Sequence, residues 1–230
     1  MKNTLFDKTK YLSLLEEFKA FTTNIDGPEN GFAWDDPVSL DLWETTSPKI
    51  AFLAKETYRY LGCDHCPVIG SPDGWKASKF NMNVSKLAYG ILHFSETGEK
   101  IQKIPYYGSI PNELKNAYSR IAQIEVKKTS TDGSTKRSSD AIIRKHSVRN
   151  AEYLARQVRL LTPDIIVCCG TVTYHSLVLD MKIFTPKNHA RGVTIIDDTI
   201  IVHYYHPSAS QFNTEYIYGE IIEAMKKKGA

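Results

Sequence analysis

The sequence predicts an α/β fold, a three-layer sandwich in which helices flank a central, mostly parallel four-stranded sheet. Three observations predict it. The runs 49–54, 121–126, 164–169 and 199–205 are almost continuously apolar, as strands covered on both faces must be. Stretches with apolar residues at helical spacing fall between them. One run, Ile165-Ile166-Val167-Cys168-Cys169, passes directly into Gly170 and Thr171, the strand and glycine turn that open a helix in doubly wound folds.

Each element has its own signal. Tyr11, Leu14, Leu15 and Phe18 recur at helical spacing and predict an amphipathic helix over 9–22. Residues 24–48 hold Asp26-Gly27-Pro28, Asn30-Gly31 and Asp36-Pro37 with Trp34 and Trp43 among them, an irregular segment pinned by aromatics. Residues 1–47 are thus expected as a helical and irregular extension packed on a single domain of 230 residues. After the strand 49–54, the region from Tyr58 through Cys63, Pro67, Gly70, the run 71–75 and Gly90 is too broken to predict an element. Long irregular loops of this kind are often functional. Pro111 suits a first helical turn, and Leu114, Ala117 and Tyr118 give that short helix an apolar side.

In the strand 121–126, Ile121, Gln123 and Glu125 share one face and Ala122, Ile124 and Val126 the other. Residues 128–140 have almost nothing to bury and are expected to be mobile in isolation. A helix resumes around Ser147 with the stripe Ala151, Leu154, Ala155, Val158 and Leu161, and Thr162-Pro163 ends it. A further helix is expected through 177–179. Residues 193–196, the Asp197-Asp198 turn and 199–205 read as a hairpin feeding the last core strand. Asn213 or Thr214 caps a final helix carrying Ile217, Ile221 and Met225.

The net charge is only +3, so its distribution says more than its sum. Lys127, Lys128, Lys136, Arg137, Arg144, Lys145 and Arg149 are opposed only by Asp132 and Asp140. Such a stripe either tracks phosphates or is a solvated face. No apolar run approaches the ~20 residues of a membrane span, and Met1-Lys2-Asn3-Thr4-Leu5-Phe6-Asp7 lacks the apolar stretch of a signal peptide. A cytoplasmic location is expected. Cys63-Asp64-His65-Cys66 is half a metal site. Cys168 and Cys169 do not complete it, because strand neighbours point to opposite faces. No metal and no cofactor are expected, and free thiols are the expected state. A Cys-His hydrolase built on Cys63 or Cys66 with His65 lacks an orienting partner.

Chemistry-bearing residues gather at strand ends, where open α/β sheets keep their sites. Ala54-Lys55-Glu56-Thr57-Tyr58 follows the first strand, and His206-Pro207-Ser208 follows the last. In this order, with 123–126 on a middle strand and a Pro-Asp-Ile-Ile-Val strand ending in Gly170, the chain resembles the uracil-DNA glycosylase superfamily over 49–210. It departs from that pattern at Ala54, where a glycine is usual, at Thr57, where proline is usual, and at Glu125, where an asparagine commonly reads uracil. The four-cysteine pattern of the iron–sulfur branch is absent.

The resemblance implies a DNA glycosylase that hydrolyses the N-glycosidic bond of uracil or another deaminated or damaged base flipped out of single- or double-stranded DNA. Glu56 would orient water and stabilise the cationic sugar, and a neutral His206 would donate to the departing base. Tyr58 would wall the pocket, and Trp75 or Phe80 would stack on the base. Lys55, Lys127, Lys128, Ser208 and Ser210 are the candidates for DNA phosphates. An ionised Glu125 only accepts hydrogen bonds, so it suits a base edge offering N–H groups and repels the O4 of uracil. Gln123, with both donor and acceptor, suits uracil. The alternative from another class is a non-catalytic nucleic-acid or nucleotide-binding module on the same fold.

Overall fold

A computed structural model of the chain describes residues 6–34, 37–56, 76, 78–129, 138–171 and 191–229. Within them runs a five-stranded sheet of order β2-β1-β3-β5-β4. Its strands are β1 at Ile50–Glu56, β2 at Ile121–Lys127, β3 at Ile165–Cys169, β4 at Gly192–Ile196 and β5 at Thr199–Tyr204. The pairs β1–β2, β1–β3 and β3–β5 are parallel, and β4 runs antiparallel to β5. The four predicted core strands are therefore joined by a fifth, the outer arm of the predicted hairpin. Its turn residues Asp197 and Asp198 both have positive φ, as a tight hairpin of right-handed twist demands.

The helices are α1 at Lys8–Asp26, α2 at Leu40–Thr45, α3 at Lys79–Thr97, α4 at Pro111–Ser119, α5 at Asp140–Arg149, α6 at Ala151–Leu161 and α7 at Thr214–Gly229. Strand alternation sorts them into two layers. Ile50, Phe52, Val167 and Val202 face α3, α4 and α7. Ala51, Leu53, Ile124 and Ile201 face α1, α2, α5 and α6. Trp43, Tyr11 and Phe18, from the segment preceding β1, are completely buried in that second layer. No helix among the described residues is long and apolar enough to cross a membrane.

Three expectations about elements change. The region after Tyr58 is not all irregular, because it holds the 19-residue α3. Val84, Leu87, Ala88, Ile91 and Leu92 form its buried stripe, the Ser78 side chain caps its start and left-handed Gly98 closes it. Gly90, a break by composition, is where α3 crosses α7: a Cβ there would stand 3.0 Å from the Tyr218 ring. The one helix expected from Ser147 to Leu161 is two: α5 begins earlier, at Asp140, and ends at Asn150, whose side chain donates to the Val126 carbonyl at 3.1 Å, and α6 then carries the expected stripe of Leu154, Val158 and Leu161. The predicted helix through 177–179 lies outside the described residues.

The strand order makes β1 and β3 a switch point. The chain leaves β1 toward β2 on one side and leaves β3 toward β5 on the other, the topology at whose carboxyl ends open α/β sheets bind ligands.

Candidate active site at the carboxyl end of the sheet

Parallel register stacks the candidate residues in rows across one face. Ala54 pairs with Glu125 on β2, its neighbour Leu53 pairs with Cys168 on β3, and Cys169 pairs with Tyr204 on β5. Glu125, Ala54, Cys169 and Tyr204 thus form one row on the α3 side. One step toward the strand ends, Glu56 pairs with Lys127. His206 lies two residues beyond Tyr204, at the same end of the sheet as Glu56. One intervening strand separates β1 from β5, so their backbones stand about 10 Å apart.

Glu56 is held from two directions. The Lys127 ammonium stands 3.5 Å from its Oε2, with both side chains almost wholly buried. Ser138 donates its backbone N–H to Oε1 at 2.7 Å and its hydroxyl to Oε2 at 2.5 Å. Lys55, on the opposite face, pairs with Asp140 at 3.1 Å. The segment that opens α5 is therefore fastened to the end of β1 through both faces of that strand.

His206 is fixed by its own turn. The Ser208 N–H donates to His206 Nδ1 at 3.2 Å, so a neutral ring in this arrangement carries its proton on Nε2. Phe80, in the first turn of α3, lies 5.1 Å from the imidazole between ring centroids. Asn83 on the same helix donates to the Pro207 carbonyl at 2.7 Å. Gly170, at φ +69, packs against the turn so closely that a Cβ would stand 3.3 Å from the His206 nitrogen. No side chain fits that contact without displacing the turn.

Beneath this rim, Gln123 Nε2 donates to the Tyr118 hydroxyl at 3.3 Å, and Asn81 Nδ2 donates to the same oxygen at 3.2 Å. One of the two Gln123 amide N–H groups is thus directed to Tyr118. Glu125 is buried one step nearer the strand ends. Burial first, then its electrostatic interactions with Cys168 and Glu125, push the Cys169 thiol well above its ordinary value. Burial alone pushes Cys168 up to about 12. Neither thiol is a nucleophile at neutral pH.

Among the predicted residues, the structure brings Phe80 against His206 and puts Glu56, Gln123 and Glu125 on one face of the sheet. Tyr58 and Trp75 lie outside the described residues, as do Cys63, His65, Cys66, Lys136 and Arg137. Ser208 is half-buried and Ser210 exposed beside the turn. The expectation that Lys127 and Lys128 meet phosphates is corrected, because neither reaches the surface. Lys127 turns to Glu56, and Lys128 donates to Gln157 at 3.0 Å and lies over the Phe18 ring. The basic stripe is broken again at Arg149, which makes a two-pronged ion pair with Asp26. Arg144 and Lys145 remain exposed.

Sequence reasoning missed Ser138, Tyr118, Asn81 and Asn83. Only Lys127 carried a legible signal, since period-two alternation puts it on the face of Gln123 and Glu125.

The sequence matches the family model of the uracil DNA glycosylase superfamily over residues 91–226. The match begins within α3 and takes in β2, β3, β5, the His206 turn and most of α7, while β1 with Glu56 precedes it. No curated protein matches the chain. With more than half of its length under that match, the chain belongs to the uracil DNA glycosylase superfamily.

Proposed function

We propose that this chain is a metal-independent, monofunctional DNA glycosylase that hydrolyses the N-glycosidic bond of a deaminated or damaged base. The observation that carries this reading is the His206 turn. Ser208 donates to Nδ1, so a neutral ring carries its proton on Nε2, where it donates to the base as that leaves with the bond electrons. Phe80 beside that ring offers an aromatic face for the extruded base. As the bond breaks, positive charge grows on the sugar. The Glu56 carboxylate supplies the opposing charge and accepts the proton of the water that adds to the sugar carbon. An abasic site and the free base are the products.

The row geometry favours a base other than uracil. Gln123 gives one amide N–H to Tyr118, and Glu125, two residues further along the same strand face, is the group nearer the strand ends. A carboxylate accepts from exocyclic amines and ring N–H groups and repels a carbonyl. A base with an N–H-rich edge fits this chemistry best.

One observation favours the second reading, a non-catalytic nucleic-acid-binding module: Lys127 neutralises Glu56 at 3.5 Å and Ser138 occupies both carboxylate oxygens. One assay separates the two. Single- and double-stranded oligonucleotides carrying uracil or another lesion are incubated with protein, then treated with alkali to break abasic sites. Breaks that disappear in Glu56→Gln and His206→Ala support the glycosylase. Binding with no breaks from any lesion overturns it in favour of the module.

A further inference from the structure

Beside the His206 turn lies a depression of about 270 Å³, lined by Arg191, Tyr205, Gln211, Asn213 and Tyr216 with apolar support beneath. The Arg191 guanidinium lies over the Tyr205 ring, 3.4 Å from its centroid. At that distance the planar group rests on the ring face, so its N–H edges point sideways, away from the ring. Among the described residues Arg191 is exposed and no carboxylate pairs with it. A guanidinium held flat with its edges open suits a phosphate, which it can grip by two parallel hydrogen bonds.

The other walls agree. Tyr216, in the first turn of α7, is 57 % exposed, and the Tyr204 ring braces it edge-on at 5.9 Å. An exposed, braced aromatic is a stacking platform. Asn213 uses its Oδ1 to cap the Tyr216 N–H, which leaves its amide N–H groups as donors alongside those of Gln211. Among the described residues, no acidic side chain lines the depression. The amino end of α7 adds partial positive charge at its rim.

We infer that this depression holds a second nucleotide of the bound DNA strand, next to the extruded one. Its phosphate lies on Arg191 and its base against Tyr216. The placement follows from the chain: Tyr205 in the wall of the depression immediately precedes His206, so the two sites meet at one strand end. The inference rests on DNA being the substrate, and its test keeps the two claims apart.

The test is fluorescence anisotropy with labelled, lesion-free single-stranded oligonucleotides over a range of salt concentrations, so it requires no catalysis. Arg191→Met weakens binding about tenfold and lowers the slope of log affinity against log salt by about one. Tyr216→Ala weakens binding by about tenfold, and Tyr216→Phe restores it, because stacking needs the ring and not the hydroxyl. Lys227→Met, a charge-matched change at the far end of α7, leaves affinity unchanged. If Arg191→Met and Tyr216→Ala bind like the wild type while lesions are still excised, this inference is overturned and the glycosylase stands. Equal losses in Arg191→Met and Lys227→Met also overturn it, since the effect is then one of net charge. Displacement of the oligonucleotide by an equal concentration of deoxythymidine monophosphate overturns the strand assignment in favour of a free nucleotide. A wild type that binds no DNA removes both claims.

Discussion

Breaking the Glu56–Lys127 pair tests both the stability and the chemistry of the site. The two side chains are 4 % and 2 % exposed, with Oε2 and Nζ 3.5 Å apart. At an effective dielectric constant of ~20 their attraction is about 5 kcal/mol before desolvation is subtracted. Removing one partner strands the other charge in the interior, a loss of about 3–5 kcal/mol in comparable buried pairs. Lys127→Met is therefore expected to cost about 3–5 kcal/mol, and Glu56→Gln a similar amount because Lys127 is left behind. The double variant, with no charge to strand, is expected to recover at least about 2 kcal/mol relative to additivity. Urea unfolding of the four proteins, followed by tryptophan fluorescence, measures the cycle. Coupling below about 0.5 kcal/mol would refute the reasoning, because such additivity belongs to solvated or separated groups. Activity adds an independent readout. Lys127→Met keeps the carboxylate and is expected to retain base excision at temperatures where it is folded. Glu56→Gln is expected to lose about 10²–10³-fold in kcat at any temperature.

Further outcomes follow from individual contacts. His206→Ala is expected to lower kcat for base excision by about 10²–10³-fold, with its unfolding midpoint within the wild-type range, since the half-buried ring contributes mainly a donor. Gly170→Ala places a side chain at φ +69 and 3.3 Å from the His206 nitrogen; a stability loss of about 1–2 kcal/mol and a drop in activity are expected from denaturation and excision assays. His146 is buried beside Arg149, and burial first, then that guanidinium, lower its pKa from 6.5 to about 4. The unfolded chain therefore takes up the proton first as pH falls. The stability His146 contributes is complete above about pH 6.5 and is lost on acidification toward about pH 4, amounting to about 3 kcal/mol. Urea midpoints measured across that window should decline in the wild type and flatten in His146→Gln.

The sheet was the legible part because its signal is local. Runs such as Ile165-Ile166-Val167 and Ile200-Ile201-Val202 are apolar on both faces, and only a strand between two helical layers satisfies such a run. The hairpin turn and the Asn213 cap were legible for the same reason: each depends on a few adjacent residues. α3 was not, although its stripe from Val84 to Leu92 has helical period. Gly90 reads as a break until the partner it approaches, Tyr218, is known to lie across it. The two lysines at the end of β2 failed in a different way. Charge alone predicts exposure, but Lys127 finds Glu56 from a strand 71 residues earlier and Lys128 finds Gln157 on α6. Burial of a charge is decided by its partners, and partners that distant leave no local trace.

By itself, then, the sequence determined the layered α/β architecture, the two faces of β2 and the residues that terminate β1 and β5. Hydrophobic periodicity and turn chemistry act over a few residues and are written wherever they occur. Only the tertiary structure decided that Ser138 and Lys127 enclose Glu56, that Ser208 sets the His206 tautomer, and that Tyr118 accepts an N–H of the Gln123 amide. Apart from the Ser208 contact, those choices depend on register and packing between elements far apart in the chain. The direction of a hydrogen bond is fixed only when both of its ends are in place.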